Sequence, residues 1–411
     1  MTLQTDATNP CVVLIGFGTA GVNAAMALRA NGYEGRIVAI TKASATPASP
    51  VMISHYVAGE KTLEECQPWR PAQLAMLNIE FMEGCEVTAI DPCSHTIITS
   101  ADEVAYTKCV IASGSSPVAY TLPGDAGYAP LTLRTADDAK RMREAIGGGK
   151  RILVSGSSMV AMKMLDACLA QGCTCTLVAR SERILRTTSL ASAADALSAL
   201  LESRGIELKL GCTIDRVSGQ AGSLSVTFSD GSAATFDEIA VAHGMTANLG
   251  FVADTALARD DGLLVDEFMR TSDADIYAAG DVAQALELAS GEKRCVRIWK
   301  NAARQGACAG AAIAAELAGA SPDPTLAYTG SIPTNTIEVG GALIITGGVA
   351  QNTDSARAES HKEGEMQAFT LLDDAGHTLG YTVLSTNNEP GGIAYDTAAM
   401  LQLRVDATYR S

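Results

Sequence analysis

The alternation of short apolar strands with small-residue helices predicts an α/β chain: two Rossmann-like dinucleotide-binding domains and a small C-terminal α+β domain. Three observations carry the prediction. An apolar run from Cys11 to Ile15 passes directly into Gly16-Phe17-Gly18-Thr19-Ala20-Gly21 and then into an Ala-rich segment with helical spacing. The same succession returns from Arg151 to Ala161. Each copy is followed by a second strand, a turn-rich antiparallel stretch and a further apolar strand, which ends at Gly114 in one copy and Gly244 in the other.

In the first copy the residue types suit a dinucleotide. Gly16 takes a tight turn, Gly18 lets the backbone close on a pyrophosphate, and Gly21 lets the helix lie against the strand with its N-terminus toward negative charge. Ala24, Ala25 and Leu28 share one helix face, and the strand Arg36 to Ile40 follows where a βαβ unit places it. The carboxylate expected at the end of that strand for a ribose hydroxyl is missing, and Thr41 and Lys42 stand there instead. A Pro/Ser/Ala loop then leads to Val51 to Gly59, which contains His55-Tyr56. Residues from about Thr88 to Thr107 read as a β-meander with turns at Asp91-Pro92 and Ala101-Asp102. The strand from Lys108 then delivers Ala112-Ser113-Gly114 to a sheet edge.

In the second copy the fingerprint is altered to Gly156-Ser157-Ser158-Met159-Val160-Ala161. A strand from Thr174 to Arg180, a meander from Thr213 to Phe236 and a strand from Glu238 to Gly244 complete the parallel with the first. Further on, a strand ending in Gly280-Asp281 is expected to meet a helix, which makes Asp281 either a ligand contact or an N-cap. An Ala-rich helix is expected from about Asn301 to Leu317, and Ser321-Pro322-Asp323-Pro324 marks a boundary. Beyond about residue 330 the pattern is short strands and turns, with one helix near Asp396 to Leu403.

With 411 residues, 47% of them hydrophobic, the chain can bury the cores of two to three domains. A formal net charge of −16 argues against nucleic acid and anionic membrane surfaces, both of which need clustered Lys and Arg. No stretch has the apolar length of a transmembrane helix, and Met1 to Pro10 is polar, so a soluble, cytoplasmic protein is expected. Eleven cysteines with no C-x-x-C, scattered through core-like segments, suit reduced thiols. Cys173 and Cys175 are expected on the same side of one strand, as buried small hydrophobes.

Over almost its whole length the chain resembles the two-dinucleotide-binding-domain flavoproteins, the pyridine nucleotide-disulfide oxidoreductase-like enzymes. These include ferredoxin and rubredoxin reductases, NADH oxidases and NADH-linked subunits of anaerobic dehydrogenases. The resemblance rests on Gly16 to Gly21, Ala112-Ser113-Gly114-Ser115-Ser116-Pro117, the turn at Gly156, His243-Gly244-Met245-Thr246-Ala247-Asn248, and Thr271 to Asp281. Ser49 to Gly59 and Ile298 to Gly306 resemble the last group most closely. The resemblance implies an FAD-binding domain at 1–116 and 246–325, an NAD(P)-binding-like domain at 117–245, and a C-terminal module at 326–411 of a kind that commonly makes a homodimer. It implies that Gly16, Gly18 and Gly21 hold the FAD pyrophosphate, that Gly114 lies over the FAD and that Asp281 bonds its ribityl or pyrophosphate region. Ser49 and Pro50 begin a segment, reaching His55, that passes near the isoalloxazine ring. The implied cofactor-binding set also includes Thr19, Ala20, Thr41, Lys42, Val87, Ala112, Ser113, Gly280, Trp299 and Ala302.

Disulfide-reducing members carry a redox cysteine on or near the segment Ser49 to His55. Here no Cys occurs between Cys11 and Cys66, which implies direct hydride transfer between nicotinamide and flavin. His55 reads either as a proton donor beside the flavin or as a helix-surface histidine, and His243 as structural. Where NADH-binding members carry Glu and a strand-end acid, this chain has Lys163 and Ala179. A side chain at Ser158 is expected to crowd the pyrophosphate. Ala161 and Arg180 resemble NADPH-using relatives, in which Arg grips a 2′-phosphate, whereas Arg183 is basic whatever the cofactor. Two outcomes fit: NADPH preference, or a second site that has lost nicotinamide.

The expected activity is an FAD-dependent NAD(P)H:acceptor oxidoreductase, its acceptor a protein, oxygen or a small organic molecule. One alternative is an FAD enzyme that acts on a small substrate without nicotinamide, with His55 or Lys163 at the site. Another is an electron-relay subunit that binds a partner polypeptide.

Overall fold

The structure, a computed structural model, describes residues 10–124, 127–350 and 356–386. The polar stretch before Pro10 and the helix expected near Asp396 to Leu403 lie outside the described residues. The chain divides into two compact units. One comprises Met1–Ser49, Gln67–Ser116 and Thr246–Ser331, and the other Pro50–Cys66, Pro117–Met245 and Ile332–Ser411.

The first unit is built on a five-stranded sheet in the order Ile276–Ala278, Lys108–Ile111, Cys11–Ile15, Arg36–Thr41, Glu80–Glu83. All four pairings are parallel, with Val13 opposite Val38 on one side and Cys109 on the other. Cys11–Ile15 is a continuous apolar run because it is buried on both faces. The helix Thr19–Ala30 packs against a 19-residue helix, Trp299–Leu317, through small residues. A methyl group on Gly306 would lie 2.1 Å from the Ala20 carbonyl oxygen, and one on Gly310 would lie 2.3 Å from that of Ala24. The expected meander is present as Val87–Asp91, Thr96–Thr99 and Glu103–Ala105.

One expectation fails in this unit. After Gly280-Asp281 the chain does not enter a helix; it forms the strand Ala283–Glu287, parallel to Leu263–Leu264 and antiparallel to Glu292–Arg294. The Leu263 N–H donates to the Val282 carbonyl at 2.7 Å, so strand pairing claims the backbone that a helix would need. Asp281 is therefore not an N-cap.

The second unit repeats the parallel core with Glu207–Leu210, Thr174–Ala179, Arg151–Ser155 and Glu238–Val241. Its meander, Ile214–Gln220, Ser223–Phe228 and Ala233–Phe236, buries Val217, Leu224, Val226 and Phe228 in an apolar cluster of its own. A five-stranded antiparallel sheet follows in the order Thr334–Val339, Ala342–Gly348, Thr378–Ser385, Met366–Leu372, Arg357–Glu363. Its last edge strand is exposed throughout and charged, which discourages edge-to-edge pairing. Cys173 lies in the turn before the strand Thr174–Ala179, so Cys173 and Cys175 are not two positions of one strand as expected. Among the described residues no helix is long and apolar enough to cross a membrane.

Candidate functional site

In the first unit the Gly16–Gly21 turn is shaped by backbone contacts. Gly16 has φ +95°, and a Cβ there would sit 2.4 Å from the Ala112 carbonyl oxygen, so the turn is wedged against the end of the strand Lys108–Ile111. A Cβ on Gly21 would lie 2.2 Å from the Gly16 carbonyl oxygen. Gly18 differs, since nothing lies within 4 Å of where its Cβ would be. The missing side chain leaves an open cradle beside the helix start. That helix has no side-chain cap and no acidic residue in its first turn, so its first N–H groups are available to a phosphate. This donor set fits the FAD pyrophosphate.

Gly280 and Ala302 adjoin the start of the same helix. A Cβ on Gly280 would be 3.1 Å from the Ala20 Cβ and 3.5 Å from that of Ala302. The Gly280 N–H donates to Gln305 Oε1 at 2.8 Å, and Ser115 Oγ donates to Asp281 Oδ2 at 2.6 Å. Ser113 Oγ donates to the Asn248 carbonyl at 2.8 Å, while Asn248 Nδ2 donates to that of Ser113 at 2.9 Å, which fixes Ala112 to Gly114. Thr19 and Ala20 open the helix. Trp299 starts the long helix and stacks on Trp69 at 6.3 Å, Val87 packs against the core and Ser49 is buried, while Pro50, which is exposed, belongs to the second unit.

At the end of the strand Arg36–Thr41, Thr41 Oγ1 accepts the Ala43 N–H at 3.1 Å and Lys42 is paired with Glu86. A carboxylate does stand there, on the neighbouring strand. Glu83 is opposite Thr41 and accepts the Ala45 N–H at 3.1 Å, so it is chemically able to take a ribose hydroxyl. Its signal was the pairing register, which the local sequence does not carry.

In the second unit Gly156 has φ +133°, and a Cβ there would sit 2.5 Å from the Ala242 carbonyl oxygen, as Gly16 does against Ala112. Ser158 departs from expectation. Its side chain is folded back as the N-cap of the helix Met159–Ala170, where Oγ accepts the Ala161 N–H and donates to the Ala242 carbonyl, both at 3.3 Å. It caps the helix, because an N-cap oxygen is held by an otherwise orphan helical N–H. Arg180 is exposed at the end of Thr174–Ala179, with no carboxylate at Ala179, and Arg183 is tied to Asp195 at 2.8 Å. His243 Nε2 lies 2.8 Å from Ser155 Oγ, and the ring sits edge-on to Tyr120. Packing around the ring and the Arg180 charge hold its pKa below the usual histidine range.

His55 and Lys163 are brought together in this unit, in a cleft of about 120 Å³ that they share with Glu60, Asp166 and Glu338. His55 Nδ1 lies 2.6 Å from Glu60 Oε2. Lys163 Nζ donates to the Val51 carbonyl at 3.0 Å, and burial lowers its pKa. Asp166 Oδ1 accepts the Gly340 N–H at 2.8 Å. Burial raises its pKa to about 6; the Gly340 N–H opposes the rise and the Glu338 and Glu60 charges add to it. Sequence reading missed Asp166, although its i,i+3 spacing from Lys163 places both on one helix face. Cys66, the thiol nearest in sequence to Ser49 to Gly59, is buried, donates to the Met52 carbonyl and has its pKa raised by burial.

The family model described as pyridine nucleotide-disulphide oxidoreductase matches residues 10–306. A rubredoxin-NAD(+) reductase from Pseudomonas putida is 30% identical over 319 residues, covering 76% of this chain and 82% of that protein. The epsilon subunit of an NADH-dependent phenylglyoxylate dehydrogenase from Aromatoleum evansii is 27% identical over 346 residues, covering 82% and 80%. Among solved structures, the covalent putidaredoxin reductase-putidaredoxin complex superposes with a TM-score of 0.85 at 23% identity, covering 97% of this chain and 93% of that one. The open Gly18 cradle, the duplicated parallel cores and these matches lead to one assignment: the chain belongs to the pyridine nucleotide-disulphide oxidoreductase family and is an FAD-dependent NAD(P)H:acceptor oxidoreductase.

Proposed function

We propose that the protein oxidises NADPH at its FAD and hands the electrons to a protein acceptor without a thiol relay. The observation that carries the reading is the segment Ser49 to Gly59, which holds no cysteine, followed by Cys66, which is buried and kept protonated. Bound FAD supplies a group that takes up a hydride and releases electrons. The chain's own residues bind and orient. The uncapped start of Thr19–Ala30 receives a pyrophosphate, and Asp281, held by Ser115, stands beside the same turn.

NADPH is favoured by Arg180. Its planar fork matches a 2′-phosphate, and Ala179 leaves no carboxylate to repel one. A protein acceptor is supported by the rubredoxin reductase, a relative with which identity reaches 30%.

The test compares the anaerobic reduction of the FAD-loaded protein by NADPH and by NADH, with and without Arg180→Ala. NADPH should be the faster donor, and the substitution should slow it by roughly 10- to 100-fold, the worth of one charge-assisted contact, with little change for NADH. A wild-type protein that prefers NADH, or a substitution that slows both donors equally, overturns the assignment.

A further inference from the structure

Three thiols meet at the C-terminal end of the helix Met159–Ala170, away from any residue so far given a role in binding. Cys168 is on the last turns of the helix, Cys173 is in the turn after it, and Cys175 is on the strand Thr174–Ala179. The helix ends in a Schellman motif. The Gly172 N–H donates to the Leu169 carbonyl at 2.9 Å, and the Cys173 N–H donates to that of Cys168 at 3.0 Å, with Gly172 at φ +74°. In this motif the side chains that meet are those of the two residues joined by the longer-range bond. Here both are cysteines.

With the Cys173 nitrogen 3.0 Å from the Cys168 carbonyl oxygen, standard bond lengths limit the Cα separation to about 7 Å, near the upper limit of disulfide spacing. The neighbouring Cys173 and Cys175 thiols raise the pKa of Cys168. Cys168 has no exposed surface, whereas Cys173 keeps 7%. The cover over Cys173 is thin. Its sulfur lies 3.6 Å from the Gly147 carbonyl oxygen, in a run of three glycines, Gly147 to Gly149, whose Cβ positions meet nothing within 4 Å. The neighbouring Cys168 thiol and, to a lesser extent, the Lys150 charge favour thiolate at Cys173 and lower its pKa.

We propose that Cys168 and Cys173 form a reversible disulfide, making the end of this helix a peroxide-sensitive modification site. The Cys173 thiolate attacks hydrogen peroxide; the O–O bond breaks, hydroxide leaves and takes up a proton as water, and Cys173 becomes a sulfenic acid. The Cys168 thiol then attacks that sulfur, the S–O bond breaks, a second water leaves and the S–S bond forms. The two thiols lose two electrons in all, and the peroxide gains them. A dithiol reductant reverses the change. The bridge closes the last turn of the helix that carries Lys163 and Asp166.

The test uses the full-length, FAD-loaded protein, reduced, desalted and treated with hydrogen peroxide, then denatured, alkylated and cleaved after Lys and Arg. The peptide Met164 to Arg180 contains all three thiols. It should carry one alkyl group, on Cys175, with a mass about 2 Da below that calculated for the singly alkylated peptide with two free thiols, and it should carry three groups after dithiothreitol and renewed alkylation. Cys175→Ser should keep the bridge and Cys173→Ser should lose it. Should Cys173→Ser fail to fold, Cys168→Ser should accumulate a dimedone-reactive sulfenic acid at Cys173. Three alkyl groups on the peroxide-treated wild-type peptide, or a bridge that persists in Cys173→Ser, would overturn the proposal.

Discussion

Asp166 couples protonation to structure. Its carboxyl binds a proton more tightly in the folded protein than in the unfolded chain, with a pKa of about 6 against the ordinary aspartate value of 3.8. The folded state therefore holds more protons within that window. The associated stabilisation is fully present below about pH 4 and is lost as pH rises through about 6, a change of roughly 1–2 kcal/mol once residual solvent is allowed for. Asp166→Asn keeps an acceptor for the Gly340 N–H but cannot ionise. Relative to the variant, the wild type should lose thermal stability between about pH 4 and pH 7; parallel pH profiles for the two proteins would contradict this. Single residues were unevenly legible. The need for glycine at Gly16 and Gly21 follows from the motif, whereas the N-cap bond that places the Ser158 side chain is not announced by residue size. Glu60 and Glu338 come to the cleft from segments distant in sequence from the helix of Lys163, and no local spacing announces that.

Among the elements, the contact between Thr19–Ala30 and Trp299–Leu317 holds the Gly16–Gly21 turn in place. Gly306 and Gly310 let the two backbones approach until a methyl group on either would overlap a carbonyl oxygen of the other helix. Gly306→Ala should cost about 1–3 kcal/mol through overpacking and lower the melting temperature by several degrees, with weaker retention of FAD. Unchanged melting and flavin content would mean that the helices separate freely. The parallel strands and both meanders were legible because each carries its own period and turn residues. Ala283–Glu287 was not. Its strand state comes from pairing with Leu263–Leu264 and Glu292–Arg294, partners that lie outside any local window.

For the molecule as a whole, duplication was the most readable feature. A Gly turn wedged under a strand-end carbonyl occurs at Gly16 against Ala112 and again at Gly156 against Ala242, and the motif pair at residues 16 and 156 showed it before any coordinate. The two copies differ at the helix start, which is uncapped after Gly18 and capped by Ser158 in the second. That difference leaves more free N–H donors at the helix start of the first unit than at that of the second. On the proposed function, electrons pass from the nicotinamide through FAD with no cysteine relay. This is tested most directly by anaerobic titration of the oxidised, FAD-loaded protein with NADPH while the flavin absorbance is followed. Complete bleaching at about one equivalent of NADPH per FAD is the predicted result, because the flavin alone accepts the two electrons of a hydride. A requirement for about two equivalents, with a long-wavelength thiolate-to-flavin band appearing after the first, would contradict it.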